Sequence, residues 1–426
     1  MNKIKVDSIK SSSSEYSYRS SSDDLSISTE SSDNIDLAGD IINKYNVIVK
    51  LGSGSYSIVW LVYSIEDNKY YAMKVQNPED YEEGLEEVSI LKKISNKDKY
   101  VNNMVDNFIE TRTIDNNKLK FVCSVYNLCC GNLDGLARKG DYSHGYPIQV
   151  VKKMLKQICI GLNTIHTKLN GYHGDIKPDN ILLCGINDRD QEYIKLYEKS
   201  NFPSIYIDVK KQYMEEKKVK KLSAETKLKI RRNIHRTIID KMPTITTSQY
   251  KINDSLLSNP EIKITDFGFY CSNKEQFNES FGTRYYQAPE NILLGSCCDK
   301  VDVWSVGCML YELLTGEILF DPDSDELGST DYHHLEMMIN TCGEFDSSVL
   351  KSKHGSKFFN KKCKLSDMVY TKDFNSTTFS KLQNRLKEHD IFDNDLCDLL
   401  NQMLLLDPNK RIKIKNILIH SWLTNG

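Results

Sequence analysis

Apolar and polar residues alternate along three consecutive segments, YNVIVKLG, SIVWLVYS and KYYAMKVQ. This period of two, with many β-branched and aromatic residues, predicts successive antiparallel strands. The next segment, DYEEGLEEVSILKKI, has Leu85, Val88 and Leu91 at helical spacing and predicts a helix. Two further strands are predicted around 105–109 and 120–126.

Beyond about Gly131 the apolar pattern takes a helical period. The clearest case is IQVVKKMLKQICIGLNTIH, and further helices are predicted at 301–314, at 332–341, at 395–405 and near the C-terminus. A small strand-rich half followed by a larger helix-rich half is therefore expected, which is an α+β fold.

Two segments depart from this rhythm. From Ser8 to Ser32 about half of the residues are serine and large aliphatic side chains are almost absent, so residues 1–44 are predicted to form a disordered tail. That tail would be either a solvating leader or a phosphorylatable regulatory segment. Residues 185–260 are predicted to be an insertion, because the stretch 209–236 holds eleven Lys/Arg against three Asp/Glu. Its loop-closure cost grows only slowly with length.

Length, composition and charge disfavour several classes of protein. The chain of 426 residues is long enough to bury a large core. Its net charge of -3 and pI near 6.3 do not favour a surface built for nucleic acid or for anionic membranes. The twelve cysteines lack zinc-ligand spacing and predict free thiols in a reducing compartment. Neither a signal peptide nor an apolar run of membrane-helix length is found, so an intracellular protein without a membrane partner is expected.

The first candidate site is the turn in LGSGSYSIVW, where Gly52 and Gly54 separate two predicted strands. Glycines allow backbone to approach a ligand closely, although such a turn also occurs in plain hairpins. Lys74, on the strand that follows, could reach phosphate oxygens. A buried lysine needs a partner, and Glu87 is preferred over three other glutamates of the predicted helix.

A second cluster of polar residues lies in HGDIKPDN. Asp175 can accept the proton of an attacking hydroxyl, Lys177 can neutralise a transferring phosphoryl group, and Asn180 can offer an oxygen to a divalent cation. The segment KITDFGF brings Asp266 to a turn as another oxygen ligand and leaves Phe267 to pack inward. Such ligands suit Mg²⁺ bound with nucleotide phosphates. Each Asp or Asn, taken alone, could instead be a helix cap or a solvated turn.

In this order, the segments resemble those of protein kinases. The resemblance continues through YYQAPE, DVWSVGCMLYELLTG and LLLDPNKRI and covers roughly residues 45–422. It implies a bilobal fold, with a small antiparallel-sheet N-lobe at 45–127. The larger, mainly helical C-lobe would comprise residues 128–184 and 261–426, with the insert between these two parts.

The resemblance also implies ATP and Mg²⁺ as cofactors. Glu290 and Arg411 should form a buried ion pair, and Asp302 should brace the backbone of the catalytic loop. The residues expected to act in catalysis are Lys74, Glu87, Asp175 and Lys177, and the expected metal ligands are Asn180 and Asp266. The residues expected to contact ATP are Leu51, Gly52, Ser53, Gly54, Ser55, Val59, Ala72, Lys74, Asn127 and Cys129.

A closer resemblance is to the SR-protein kinases, which phosphorylate serines in arginine/serine-rich splicing factors. It rests on GSGSYSIVWL, AMKV, VKKMLKQICIGLNTIHTK, HGDIKPDN and GEILFDPDS. Lys177 after HGDI and Thr283 in GTRYYQAPE are typical of the serine/threonine branch. The expected activity is transfer of phosphate from ATP to Ser/Thr hydroxyls of Arg/Ser-rich proteins, by a monomer. The resemblance implies that the insert is the family's spacer, which helps to retain the enzyme in the cytoplasm, although the insert could equally be a merely solvated helical excursion. A nuclear pool is also compatible with the family.

An arginine-rich substrate requires an acidic surface. The segment LFDPDSDELGSTD could supply it, although it could equally be a solvated loop. Its acidic residues are Asp321, Asp323, Asp325, Glu326 and Asp331.

Two residues depart from the kinase pattern. Gly174 stands where an arginine usually pairs with an activation-loop phosphate, which implies activity without that phosphorylation. Gln287 stands where SR-protein kinases usually carry arginine, so recognition of phosphorylated substrate stays open. The alternatives are another Ser/Thr kinase of the CMGC type or a catalytically weak kinase-fold scaffold. RNA binding through 209–236 is disfavoured because few aromatic residues are interleaved there.

Overall fold

The structure is a computed structural model. It describes residues 36–94, 97–114, 116–138, 140–247, 251, 254–273, 275, 278–323, 330–366 and 378–425. The chain from Ala38 onward forms one compact unit.

The strands of the described part are β1 (Ile41–Ile42), β2 (Tyr45–Ser53), β3 (Ser57–Ser64), β4 (Lys69–Gln76), β5 (Met104–Ile114), β6 (Asn117–Tyr126), β7 (Cys129–Asn132), β8 (Gly171–Tyr172), β9 (Ile181–Cys184), β10 (Ile262–Ile264) and β11 (Cys271–Ser272). The helices up to the end of the insert are α1 (Tyr81–Leu91), α2 (Leu133–Arg138), α3 (Ile148–Thr164), α4 (Asp188–Lys199), α5 (Phe202–Glu216), α6 (Ala224–Ile239) and α7 (Asp254–Ser258). The later helices are α8 (Pro289–Ile292), α9 (Lys300–Thr315), α10 (Thr330–Cys342), α11 (Gly355–Phe358), α12 (Thr378–Glu388), α13 (Asn394–Met403), α14 (Ile414–Ile417) and α15 (Ser421–Thr424).

The N-lobe is an antiparallel sheet in the order β1-β2-β3-β4-β6-β5. Both faces of the sheet carry buried residues: Trp60, Val62 and Met73 lie on one face, and Leu61 and Tyr63, which alternate with them along β3, lie on the other. Helix α1 lies close to this sheet because Gly84 has no side chain: a Cβ there would stand 3.1 to 3.2 Å from side-chain atoms of Gln76 and Val122. The strands and the helix predicted from periodicity are confirmed.

The C-lobe is mainly helical, and its core surrounds helix α9, every residue of which is buried. Two small antiparallel sheets carry the catalytic segments: β7, β9 and β10 form one, and β8 with β11 forms the other. This arrangement confirms the predicted α+β fold with an N-terminal sheet and a helical second part. Among the described helices, none has both the length and the apolar character needed to cross a bilayer.

Helices α4, α5 and α6 pack against the N-lobe sheet, which a merely solvated excursion would not do. Tyr197 and Phe202 of these helices share a hydrophobic cluster with Ile48, Leu61 and Tyr63 of the sheet. The abundance of Lys and Arg in this segment concealed the apolar face that makes this packing favourable.

The N-terminal boundary also differs from the prediction. Strand β1, at Ile41–Ile42, lies inside the segment 1–44 that was predicted to be a tail, and both of its residues are buried. Its residues pair with Tyr45 and Asn46. The serine-rich part of the predicted tail, through residue 35, lies outside the described residues.

Candidate active site

The glycine-rich turn, residues 52–56, joins β2 to β3. A Cβ built on Gly52 or Gly54 would meet no atom within 4 Å, so the backbone borders open space. The turn is held by the N–H of Gly54, which donates to the carbonyl of Ser57 over 2.9 Å. Ser53 and Ser55 are exposed, and Leu51 and Val59 are half-buried beside the turn. Exposed backbone amides in such a turn can accommodate phosphate oxygens.

Lys74 and Glu87 form an ion pair beneath this turn. Lys74 lies on β4, opposite Val59 of β3, and its Nζ stands 2.6 Å from Oε2 of Glu87 on α1. Burial lowers the pKa of Lys74, but the carboxylates of Glu87 and Asp266 outweigh burial and the net pKa is raised. The three competing glutamates of the helix are exposed, and they are Glu82, Glu83 and Glu86. The structure thus places Glu87, on the buried face of α1, at the lysine.

The catalytic loop brings Asp175, Lys177 and Asn180 together. Lys177 Nζ lies 3.0 Å from Oδ2 of Asp175, and the amide nitrogen of Asn180 donates to the same oxygen over 3.0 Å. Asn180 also donates to the backbone carbonyl of Asp175 over 2.8 Å. Burial lowers the pKa of Lys177, whereas Asp175 and other nearby carboxylates raise it, and the net shift is upward. Lys177 therefore stays charged beside a buried carboxylate.

Asp302 fixes the backbone of this loop from α9. Its Oδ2 and Oδ1 accept the N–H groups of His173 and Gly174, each over 2.9 Å, and Oδ2 also lies 2.7 Å from Nε2 of His166. Burial raises the pKa of Asp302, but His166 and the Gly174 N–H outweigh it and the pKa lies below its usual value. The bracing role implied by the resemblance is present in the geometry.

Asp266 is the second residue after β10. Its backbone has a φ of 67°, the left-handed region that few non-glycine residues occupy. Its carboxylate raises the pKa of both Lys74 and Lys177, so it lies within electrostatic range of both lysines. The next residue, Phe267, is buried in the core as predicted and lies 5.2 Å from the ring of His173.

The activation segment, residues 266–290, is docked on the catalytic loop. The N–H of Thr283 donates to Oδ1 of Asp175 over 2.8 Å, and Lys177 donates to the Thr283 hydroxyl over 2.6 Å. The Gln287 amide donates to the carbonyls of Phe281 and Gly282, over 2.9 and 3.2 Å. These side-chain hydrogen bonds hold the segment in place.

Two glycines allow the segment and the loop to pass closely. Gly174 has a φ of +83°, and a Cβ there would stand 2.5 Å from the carbonyl oxygen of Phe269. Gly282 has a φ of +74°, and its Cβ would stand 2.5 Å from the carbonyl oxygen of Gly174. A larger residue at either position would strain the backbone or push the two segments apart.

Glu290 and Arg411 form a buried, bidentate ion pair. The two guanidinium nitrogens of Arg411 lie 2.7 and 3.0 Å from the two carboxylate oxygens of Glu290, and the Arg411 side chain is fully buried. The pair joins the end of the activation segment to the C-terminal part of the chain. This matches the ion pair that the resemblance implies.

The connection between the lobes carries the remaining predicted ATP contacts. Asn127 is exposed, directly after β6, and Cys129 is half-buried at the start of β7, where it pairs with Cys184 of β9. Ala72 of β4 is half-buried opposite Leu61 and Tyr126. Ion pairs, hydrogen bonds and electrostatic effects link six of the predicted site residues, which are Lys74, Glu87, Asp175, Lys177, Asn180 and Asp266. We call the space beside these six side chains the cleft. The contact of the other predicted residues with ATP stays a prediction.

The donor set fits a magnesium-bound nucleotide. Asn180 uses its amide nitrogen in hydrogen bonds to Asp175, so its side-chain oxygen is the atom left for a cation. Together with the Asp266 carboxylate it provides two hard oxygen ligands, which suits Mg²⁺ completed by phosphates. Lys74 lies within electrostatic range of the same Asp266 carboxylate.

The predicted acidic surface is described only in part. Asp321 and Asp323 are exposed, whereas Asp325 and Glu326 lie outside the described residues. Asp331 is engaged by Arg284, with Nη1 and Oδ1 2.6 Å apart.

Sequence reasoning missed Asn291, which anchors the activation segment. Its side chain accepts the N–H of Phe281 over 3.1 Å and donates to the Phe281 carbonyl over 2.7 Å. Nothing in the local sequence marks this asparagine, because its partner is backbone that any residue would provide. In the sequence, Gln287 stands out only as a departure from the SR-protein kinase pattern. Its hydrogen bonds to the carbonyls of Phe281 and Gly282 could not be predicted from the sequence.

The chain is similar in sequence to known protein kinases. A family model described as protein kinase domain matches residues 45–198 and 250–423. The chain is 27% identical to a protein of Acanthamoeba polyphaga mimivirus named as a serine/threonine-protein kinase, over 89% of this chain and 87% of the relative. It is 29% identical to serine/threonine-protein kinase SRPK of Physarum polycephalum, over 90% and 86% of the two chains. It is 23% identical to SRSF protein kinase 3 of Mus musculus, over 90% and 87%.

The gap in the family match, residues 199–249, lies inside the predicted insert of 185–260. The matched part continues through most of α4 (Asp188–Lys199). The segment without a counterpart in the family model therefore begins later than the basic composition indicated, and it consists mainly of α5 and α6.

Proposed function

Because the chain belongs to the protein kinase domain family and is a protein serine/threonine kinase, we propose that it phosphorylates serines in Arg/Ser-rich protein segments. We propose further that it does so without prior phosphorylation of its activation segment. The names of two relatives, SRPK and SRSF protein kinase 3, support the choice of substrate. The observation that carries the proposal is the hydrogen bond from the Thr283 N–H to Asp175, because it docks the activation segment on the catalytic loop.

Each side chain in the cleft has a task in this reaction. Lys74, held by Glu87, positions ATP through its phosphates. Asp175 accepts the proton of the substrate hydroxyl as that oxygen attacks the γ-phosphorus, the bond from this phosphorus to the β–γ bridging oxygen breaks, and ADP leaves; Lys177 compensates the charge on the transferring group. Asn180 and Asp266 would hold Mg²⁺, which supplies charge neutralisation at the phosphates when bound. Catalysis then rests on positioning and electrostatics.

Activity without a loop phosphate follows from how the activation segment is held. In kinases that need the phosphate, a cationic side chain in the catalytic loop binds it. Here Gly174 offers no cation, and Gln287 and Asn291 secure Phe281 and Gly282 by neutral hydrogen bonds. Such bonds do not depend on a modification, so residues 281 and 282 are held as soon as the chain folds.

Charge supports a basic substrate in a limited way. Asp321 and Asp323 are exposed in the segment before α10, where they can attract arginines. Asp331 already pairs with Arg284, so a substrate arginine would have to displace that residue. We therefore place the electrostatic attraction on the first two aspartates.

The test is phosphate transfer by phosphatase-treated protein supplied with Mg-ATP. Three peptides of equal length would be compared: an Arg-Ser repeat, a Lys-Ser repeat of the same charge and an Ala-Ser repeat. We expect the Arg-Ser peptide to have the highest kcat/KM and the phosphatase treatment to leave the rate unchanged. Equal rates for the Arg-Ser and Ala-Ser peptides would refute the substrate assignment. A rate that appears only after preincubation with ATP would refute independence from phosphorylation.

A further inference from the structure

Strand β2 leads directly into the glycine-rich turn, and its outer edge is only briefly paired. Strand β1 pairs with Tyr45 and Asn46, and Val47 donates to the Asp40 carbonyl and accepts the Gly39 N–H. Within the described residues, no strand pairs with this edge beyond Val47. The strand also shows two register shifts against β3, between Val47 and Val49 and between Lys50 and Gly52. A bulge leaves backbone groups outside the ladder, so β2 needs other partners.

Side chains of α4 and α6 bond to three backbone carbonyls in this region. Two of these carbonyls belong to β2, and one belongs to the residue before it. Arg231 donates to the carbonyl of Lys44 over 2.5 Å, and Nε2 of His235 lies 2.8 Å from the carbonyl of Val47. Arg189 donates to the carbonyl of Lys50 over 2.8 Å. The last two carbonyls belong to the residues at which the register shifts begin.

The first two contacts are part of a closed, buried network. Arg231 donates from Nε to the Asn46 side chain over 2.7 Å, and Asn46 donates to the Tyr197 hydroxyl over 2.7 Å. That hydroxyl lies 3.2 Å from Nδ1 of His235. Because these groups are buried, their loss would affect folding as a whole.

Arg189 is different, because it is half-buried and lies nearest to the glycine-rich turn. Its guanidinium lies over the ring of Tyr193 on the next turn of α4, 5.7 Å from the ring centroid. The start of α4 is itself fixed, since the Asn187 side chain caps the helix and donates to the carbonyl of Cys130 over 3.0 Å. Arg189 therefore spans from a helix anchored on β7, beside the predicted ATP contact Cys129, to the strand that carries the turn.

We propose that Arg189 is a positioning residue for ATP: by holding the Lys50 carbonyl it fixes the glycine-rich turn over the phosphates. The inference rests on the proposed nucleotide site in the cleft but not on the nature of the protein substrate. Without Arg189, the end of β2 gains freedom that ATP must remove on binding, so affinity falls. Helix α4 thereby acts on nucleotide binding from the side of the sheet, without touching the ligand.

The test is calorimetric titration of the full chain with Mg-ATP. Arg189→Ala should weaken ATP binding about fivefold, equivalent to about 1 kcal/mol, the size of one hydrogen bond. Arg189→Lys, which keeps a donor, should recover part of that loss. The matched control is Lys195→Ala, which removes an exposed cation from the same helix and should leave the affinity unchanged. The melting temperature of Arg189→Ala should stay within about 2 °C of the unsubstituted protein.

Two outcomes separate this inference from the proposed site. If Lys74→Met abolishes ATP binding while Arg189→Ala leaves it intact, the positioning role alone is overturned. If Lys74→Met leaves ATP affinity unchanged, the nucleotide site itself is misplaced and the inference fails with it. An equal loss in Lys195→Ala would also overturn the inference, because it would reduce the effect to general charge. A lower melting temperature in Arg189→Ala with unchanged affinity would show a role in folding alone.

Discussion

The catalytic cleft and the basic helices of the insert both hold partly or fully buried cations, but they satisfy them in different ways. In the cleft, Lys74 and Lys177 lie against carboxylates, and the pKa of each is raised. On α6, burial lowers the pKa of Arg231 to about 10 and that of His235 to about 4. These two side chains bond to backbone carbonyls and to an asparagine.

The difference reflects what each region must do. Charged pairs in the cleft keep full charges in place that an anionic ligand and its cation can engage, so the region suits chemistry on phosphates. Hydrogen bonds from α6 end on fixed backbone and leave His235 neutral, so that region suits holding a strand. Loss of a cleft charge should therefore reduce turnover, and loss of a buried contact of α6 should reduce stability.

The largest effect is expected from Asp175→Asn. The amide can still accept the Thr283 N–H, so the fold should persist, but it cannot take the proton of the substrate hydroxyl. We expect kcat to fall by about 10²-fold or more, because a positioned base contributes about 10² to 10⁴. Steady-state phosphate transfer to the best peptide measures this, and Lys229→Ala on the exposed face of α6 serves as control. A rate unchanged in Asp175→Asn would mean that another group is the base.

A smaller effect, on stability, is expected from His235. Its pKa is about 4 in the folded protein and near its ordinary 6.5 when unfolded, so the unfolded state takes up a proton first as pH falls. Stability from this group is therefore lost as pH falls below about 6.5 and stops changing below about 4. Between pH 7 and pH 5 the loss amounts to about 2 kcal/mol, at 1.36 kcal/mol per pKa unit.

Urea unfolding at pH 7, 6 and 5 measures this loss. The variant His235→Asn should lack about 2 kcal/mol of the decline, whatever its stability at pH 7. The exposed His144 provides a matched variant, His144→Asn, whose decline should equal that of the unsubstituted protein. If His235→Asn kept the whole decline, the imidazole would not be held neutral against β2.

The cleft could be predicted largely from the sequence, for a physical reason. Phosphoryl transfer requires particular side chains, such as Lys74, Asp175 and Asp266, at the ends of elements whose periodicity is easily read. The pairing of Lys74 with Glu87 also followed from the rule that a buried lysine needs a carboxylate. These residues can be recognised in the sequence because few other residue types could perform the same chemistry.

The contacts of α4 and α6 with the backbone of β2 could not be predicted in this way. Arg189, Arg231 and His235 bond to backbone carbonyls, and every residue offers a carbonyl, so the sequence of β2 contains no mark of the partner. The surplus of Lys and Arg indicated an insertion and left open whether it is a spacer or a solvated excursion. The position of β1 was missed for a similar reason, since two apolar residues are too short a run for periodicity to detect.

The proposed mechanism requires that separate segments of the chain converge on one site for magnesium-bound ATP. The affinity for ATP with and without Mg²⁺, in the unsubstituted protein and in Asp266→Asn, tests this convergence. We expect Mg²⁺ to strengthen ATP binding in the unsubstituted protein and most of this gain to be lost in Asp266→Asn. An equal gain from Mg²⁺ in both proteins would mean that Asp266 does not hold the cation and that the proposed site is wrong.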